Sequence, residues 1–206
     1  MTTPLFCFIL FYMRKSLKKI CAACGAVFLF ASCATTKLRP VYVTNTTKVQ
    51  LLPTDAVKTE IDDYYLFEGV FGDKVFSSLA YLTMNSRETA VVMLSGLGVT
   101  LGEIIYDGKI CTIDSAVIPD KLKPEYIVLD LQNAFADFGK LKNHYESSGL
   151  LFTESIENVA EGGEKATVRT ISKGKDEIER IEITKKSVLV KNNLRKYEYR
   201  LTRSEE

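Results

Sequence analysis

From Tyr64 onward, apolar and polar side chains alternate along much of the chain. This period of two marks strands with one buried face. Tyr64 to Phe71, Lys74 to Met84 and Thr89 to Ser95 are rich in Tyr, Phe, Val and Leu. Gly72-Asp73 and Asn85-Ser86-Arg87-Glu88 separate them, so three strands joined by short turns are predicted. Val99 to Tyr106 turns at Asp107-Gly108, a strong hairpin dipeptide, into Lys109 to Ile118. After the middle of the chain the alternation resumes in Leu150 to Ile156, Ala166 to Ser172, Ile178 to Thr184, Ser187 to Lys191 and Lys196 to Thr202. In the last of these, Tyr197, Tyr199 and Leu201 alternate with Lys196, Glu198 and Arg200. The glycines of Gly96-Leu97-Gly98-Val99-Thr100-Leu101-Gly102 have the spacing G-x-G-x-x-x-G and no helix signal after them. They are expected to let a sheet bend or approach another backbone, not to cradle a phosphate.

One stretch has a different period. Pro119 to Pro124 breaks the strands, and Pro124 suits the first turn of a helix that Gly139 is expected to stop. Ile127, Leu131, Ala134, Phe135 and Phe138 recur at helical spacing, while Asp130, Gln132, Asn133 and Asp137 are expected to face elsewhere. Lys140 to Ser148 is polar and predicts a loop or a frayed second helix. A sheet with one apolar and one charged face must curl over its own core or over a helix. The fold class expected is therefore mainly β (α+β): a half-open antiparallel β-barrel or strongly curved sheet, with one to two helices covering the concave side.

The N-terminal region is organised differently. Met13-Arg14-Lys15-Ser16-Leu17-Lys18-Lys19 is a charged segment, Ile20 to Leu29 an apolar one, and Phe30-Ala31-Ser32-Cys33 a small-residue box ending in cysteine. That order predicts a bacterial lipoprotein signal peptide over 13–32, cleaved to leave a lipidated Cys33. The apolar run is too short to span a bilayer, which takes about 20 residues. Residues 1–12 carry apolar side chains ahead of the positive ones and are assigned to a mis-annotated extension, with translation starting at Met13. Ala34, not Asp, follows the cysteine, which resembles an outer-membrane address. Residues 33–52 are rich in Thr, Asn and Lys and are expected to form a flexible tether. About 15 such residues span roughly 20 Å. Residues 53–206 then form one domain.

Composition narrows the chemistry. The formal charge of +1 includes Arg14, Lys15, Lys18 and Lys19 of the signal; without them 23 basic residues face 26 acidic ones, a net of −3. Such a balance lacks the basic footprint that nucleic acid requires. Of the five cysteines, Cys7, Cys21 and Cys24 precede the cleavage site and Cys33 carries lipid, which leaves Cys111 alone. A single thiol makes no internal disulfide, so Cys111 is expected to be a small buried hydrophobe in a strand. His144 is the sole histidine. With it, neither a zinc site nor a nucleophile–histidine pair can be built from spacing, and Ser95 lies in L-S-G-L-G, not G-x-S-x-G. Asp62-Asp63, Glu161 with Glu164, and Asp176-Glu177-Glu179 are carboxylate groupings without a histidine beside them, and solvated faces account for them. No enzyme activity, cofactor or metal is expected.

Leu101-Gly102-Glu103-Ile104-Ile105-Tyr106-Asp107-Gly108, the single helix Pro124-Glu125-Tyr126-Ile127-Val128-Leu129-Asp130-Leu131-Gln132, and the closing Val188-Leu189-Val190-Lys191-Asn192-Asn193 with Tyr197-Glu198-Tyr199-Arg200-Leu201 carry a resemblance. Behind a lipobox leader, these segments resemble a family of bacterial lipoproteins similar to the LolA/LolB outer-membrane lipoprotein carriers. The resemblance implies a half-open barrel lidded by helices, whose apolar interior accepts acyl chains. It implies a periplasm-facing, outer-membrane-anchored protein that receives or delivers a lipid or lipoprotein cargo without covalent chemistry. Ile127, Leu131, Phe135 and Phe138 would form the lid, and Leu101, Ile105, Tyr197, Tyr199 and Leu201 the wall. The alternative is a non-catalytic structural lipoprotein that docks on another envelope complex. No nucleic-acid partner is expected.

Overall fold

The computed structural model describes residues 40–115, 123–158 and 164–204. The expected signal peptide, Cys33 and the start of the tether lie outside them. The turn chemistry and alternation described above produce ten consecutive antiparallel strands. They are β3 (Ile61–Phe71), β4 (Lys74–Met84), β5 (Thr89–Leu94), β6 (Thr100–Tyr106), β7 (Cys111–Ser115), β8 (Leu151–Asn158), β9 (Lys165–Lys173), β10 (Asp176–Ile183), β11 (Ser187–Asn192) and β12 (Tyr197–Arg203). Their order is β7-β6-β5-β4-β3-β12-β11-β10-β9-β8, a curved antiparallel sheet that does not close into a barrel. Two five-stranded meanders are thus joined where the first strand meets the last, with Tyr197 opposite Phe71 and Arg203 opposite Tyr65. Gly102 stands opposite Ser115 of the neighbouring β7, and a Cβ on it would run into the Ser115 side chain. That close approach, beside a register shift at Met93/Leu94, is the bend the glycine run implied.

Between the two free edges of the sheet the chain forms α1 (Pro124–Phe135) and α2 (Phe138–Glu146). Every residue of α1 from Ile127 to Ala134 is buried. The expected polar face therefore does not exist: Asp130, Gln132 and Asn133 are each 1% exposed or less. A helix lying inside a curved sheet has no solvent side, so its polar side chains must find partners within the protein. Gly139 does not stop the helix either. α1 ends at Phe135 because Ala136 is extended and bridges Val57, and Gly139 falls in the first turn of α2. Asp137 caps α2, its side chain accepting from the Lys140 amide at 3.0 Å.

The last part of the expected tether is folded. β1 (Val41–Tyr42) pairs with β2 (Lys48–Val49), and Val41, Val43, Val49 and Leu51 are buried. The Gln132 amide clasps Leu52, donating to its carbonyl at 2.7 Å and accepting from its N–H at 2.9 Å, while Tyr106 Oη donates to the same carbonyl.

The two ends of the strands differ. One end carries turns 72–73, 95–99, 174–175 and 193–196, and also the N-terminal entry, because Arg195 donates to the carbonyls of Tyr42 and Val43 and Lys173 reaches Thr46 and Thr47. The opposite end carries turns 85–88, 107–110 and 184–186 and the α1–α2 elbow, where Val57 bridges Ala136 just before β3 begins. The outer face is not uniformly charged. On β3 and β4 it presents the cross-strand pairs Tyr64/Tyr81, Leu66/Leu79 and Val70/Val75, whereas β10 to β12 present Arg180, Glu182, Lys191, Glu198 and Arg200.

Candidate ligand cleft and the buried carboxyl pair

A cleft of about 700 Å³ opens at the α1–α2 elbow. Phe135 and Phe138, at the end of one helix and the start of the next, line it together with Ile61, Tyr65, Ile183 and Val188 of the sheet. Around this apolar floor stand Lys58, Lys185, Lys186 and Arg203, with Glu60 and Asp62. Several charges already have partners: Arg203 pairs with Asp63, and Glu154 accepts from Arg169 Nε at 2.8 Å. The mouth is thus polar and the floor apolar, the arrangement that suits a molecule with one polar and one apolar end.

Arg169 shapes this elbow. Its side chain comes from β9 and is almost fully buried. Nη1 donates to the carbonyls of Asn133, Ala134 and Ala136 at 2.9, 3.0 and 2.9 Å. The other late carbonyls of α1 are also met, Gln132 by the Ala136 N–H at 2.8 Å and Phe135 by the Lys58 N–H at 3.4 Å. α1 has no basic residue in its own last turn, so Arg169 supplies the positive charge its C-terminus favours.

Deeper in the core, Asp130 of α1 meets Glu179 of β10, and their carboxyls hydrogen-bond each other. Asp130 Oδ2 accepts from Tyr197 Oη at 2.7 Å and Tyr199 Oη at 3.2 Å. Glu179 accepts from the amides of Asn133 at 2.9 Å and Asn192 at 3.0 Å, and Asn133 Oδ1 accepts from Tyr145 Oη at 2.7 Å. Burial pushes the Asp130 carboxyl well above the usual range, and the neighbouring Glu179 charge adds to this. Burial raises Glu179 as well, while the hydrogen bonds from Asn133 and Asn192 hold it back. Two carboxyls this close cannot both ionise at little cost, so the pair holds a proton between them. Neither carboxyl lines the cleft. The network fixes α1 to β10, β11 and β12.

The residues singled out from the sequence fall in different places. Phe135 and Phe138 line the cleft. Ile127, Leu131 and Leu201 are buried in the core, and Tyr197 and Tyr199 are buried there with their hydroxyls on Asp130. Leu101 is half-buried against the core. Ile105 lies on the other face of β6 from Ile104 and Tyr106 and is half-buried on the outside. The Asp176-Glu177-Glu179 group is not a solvated face throughout, because Glu179 is 3% exposed.

A family model described as a protein of unknown function, DUF3261, matches residues 66–205, from β3 to the end of β12. The chain belongs to the DUF3261 family. No curated protein matches the sequence. The match thus takes in most of the sheet and both helices of this DUF3261 chain, including Arg169, the carboxyl pair and the elbow.

His144 Nε2 lies 2.7 Å from the Gln50 carbonyl, so the histidine ties α2 to the N-terminal segment. Among the described residues no group of three or more His, Cys, Asp or Glu side chains converges. Cys111 is half-buried on edge strand β7, and burial pushes its thiol up to about 12, with the Glu125 charge adding to the effect. Against an ordinary thiol near 9.0, that lowers the thiolate fraction about 10³-fold. Iodoacetamide at neutral pH should therefore modify Cys111 slowly in the folded protein and fast in urea. Mass spectrometry of the alkylated chain measures this, and equal rates would show that Cys111 is a reactive thiol.

Proposed function

We propose that this chain is a lipid-anchored envelope protein that binds an acyl-chain amphiphile non-covalently in the elbow cleft. Its acyl group would rest on Phe135 and Phe138 and its polar group among the charges of the mouth. The observation that carries this reading is the apolar floor beneath a polar mouth at one end of the helix-filled sheet. Because α1 occupies the sheet's concavity, the cargo space is the elbow and not the whole inner wall. Resemblance to LolA/LolB-type carriers, acylation at Cys33 and delivery or acceptance at the outer membrane belong to the same proposal. Burying a CH₂ group contributes about 0.8 kcal/mol, so about ten methylenes give near-micromolar binding before ordering costs. Such a cargo is held and still released.

The test is native mass spectrometry with lipid extraction on the processed protein purified from cells. An acylated species should co-purify, and should be lost in Phe135→Asp and Phe138→Asp variants that melt like the parent. A clean apo mass, together with no displaceable binding of a fluorescent fatty acid, would sink the carrier reading. The second reading, a structural lipoprotein docking on an envelope complex, is favoured by one feature. That feature is the exposed ladder of Tyr64, Leu66, Val70 and Val75 on the outer face of β3 and β4.

A further inference from the structure

The elbow cleft holds one buried polar group with nothing to bond. Tyr65 lines the cleft and is 8% exposed, yet among the described residues no hydrogen bond reaches its hydroxyl. Its β12 neighbour is Arg203, which pairs with Asp63 two residues before it. Burial raises this phenol above its ordinary 10.0, while the Arg203 charge opposes the rise and the Asp63 charge adds to it, so the hydroxyl stays a donor at neutral pH. Buried hydroxyls are nearly always hydrogen-bonded, and an unmet one facing a cleft points to a ligand atom.

Most acids of the lining are engaged elsewhere. Asp63 is paired with Arg203 and Glu154 with Arg169. Asp137 turns to the Lys140 amide at the start of α2, and Asp62 accepts from Tyr81 Oη on the outer face. Glu60 is left against Lys58, on the lead into β3, and Lys185, on the β10–β11 turn, and neither lysine has an ion-pair partner among the described residues. Lys186 lines the cleft from the same turn. That turn is fixed, because Thr184 Oγ1 accepts from the amides of Lys186 at 3.2 Å and Ser187 at 3.0 Å. A donor hydroxyl on the floor with lysines at the mouth favours a negative head over a neutral one.

Size limits the number of chains. At the roughly 30 Å³ that a water molecule takes in the liquid, a cleft of about 700 Å³ holds roughly 20 non-hydrogen atoms. One chain of roughly ten carbons with a small head fits that space. An ordinary two-chain phospholipid does not.

We propose that the elbow cleft takes a single-chain amphiphile with an anionic head, a carboxylate or a phosphate, whose oxygen accepts from Tyr65 Oη near Lys58 and Lys185 while its chain runs over Phe135 and Phe138. The proposal rests on the acyl-cargo reading above and specifies its head and its chain count.

The chain from Cys33 to Glu206 contains the whole sheet, both helices and the cleft, and is made without residues 1–32 so that neither lipid nor detergent competes. Calorimetric titration at neutral pH compares decanoate, decyl phosphate, 1-decanol and didecanoyl phosphatidic acid. At least one single-chain anion should bind about tenfold or more tighter than decanol, and the tighter of the two identifies the head. Tyr65→Phe should melt no lower than the parent, because it removes a hydroxyl without a partner, and should lose most of that preference while binding decanol as before. Lys58→Gln combined with Lys185→Gln should remove the part of the preference that added salt also removes. The second chain should improve binding over decyl phosphate by less than about tenfold, against the many thousandfold that full burial of its methylenes would give. Equal affinity of the parent for both anions and decanol would overturn the anionic head and leave the carrier reading standing. So would an undiminished preference in Tyr65→Phe. A larger gain from the second chain would overturn the single chain. Absence of binding by all four would overturn the carrier reading along with this proposal.

Discussion

Arg169→Met should destabilise the domain by about 3–5 kcal/mol. Methionine roughly fills the volume but donates nothing. It would leave the carbonyls of Asn133, Ala134 and Ala136 without their common donor in a place that water reaches poorly, and Glu154 without its cation. Each orphaned buried acceptor costs about 1–3 kcal/mol. The negative end of α1 would also lose the guanidinium that compensates it. Domains of this size have net stabilities of about 5–15 kcal/mol, so the loss is a large share of the total. It should lower the thermal midpoint by roughly 10 °C. Arg169→Lys should recover only part of this, because one ammonium cannot serve the three carbonyls and Glu154 in the planar geometry of a guanidinium. Thermal and urea unfolding of the three proteins decides the matter. A midpoint for Arg169→Met equal to that of the parent would mean that α1 ends without help from β9. The same variant should also weaken any cleft ligand, since the elbow carbonyls hold Phe135 and Phe138 in place.

Much of this architecture is legible in the sequence because it rests on local rules. β4 runs from Lys74 to Met84, as its alternation and the preceding Gly72-Asp73 turn imply. The pairing of β3 with β12 is not legible, since nothing in either strand names a partner more than a hundred residues away. The Thr- and Asn-rich composition of residues 40–52 hid a second period-two pattern, Val41 and Val43 then Val49 and Leu51, which in fact marks buried segments. The carboxyl pair was hidden for a different reason. Helical spacing separates apolar from polar positions, but it cannot distinguish solvent from a polar partner across the core. A clue was present. Tyr197 and Tyr199 alternate into the interior, and buried phenol groups need acceptors. Asp130, flanked by Val128, Leu129 and Leu131, was the acceptor to suspect. The elbow is concealed in the same way, because Gly139 looks like a helix stop whereas Asp137 is a cap.

The carboxyl pair makes the fold lose stability as the solution becomes alkaline. Both Asp130 and Glu179 have their folded values raised, from 3.8 and 4.5 respectively, chiefly by burial. A carboxyl raised on folding binds its proton more tightly in the native state than in the unfolded one. Its stabilising contribution is therefore complete below the unfolded value and is lost as pH rises through the folded value. Stability should fall across that window by up to about 1.4 kcal/mol per pH unit for each proton involved. Acid, by the same sign, does not break this part of the core. Asp130→Asn separates the cause from other titrations. Its amide oxygen can accept from Tyr197 and Tyr199 and its N–H₂ can donate to Glu179, so the network survives without a proton that alkali can remove. The variant should match or exceed the parent at high pH and show a flatter dependence. Glu179→Leu should be destabilised at every pH, since it strands the amides of Asn133 and Asn192. Urea unfolding midpoints from about pH 5 to about pH 9 measure the slope. Parallel curves for the parent and Asp130→Asn would show that the pair does not exchange its proton over this range.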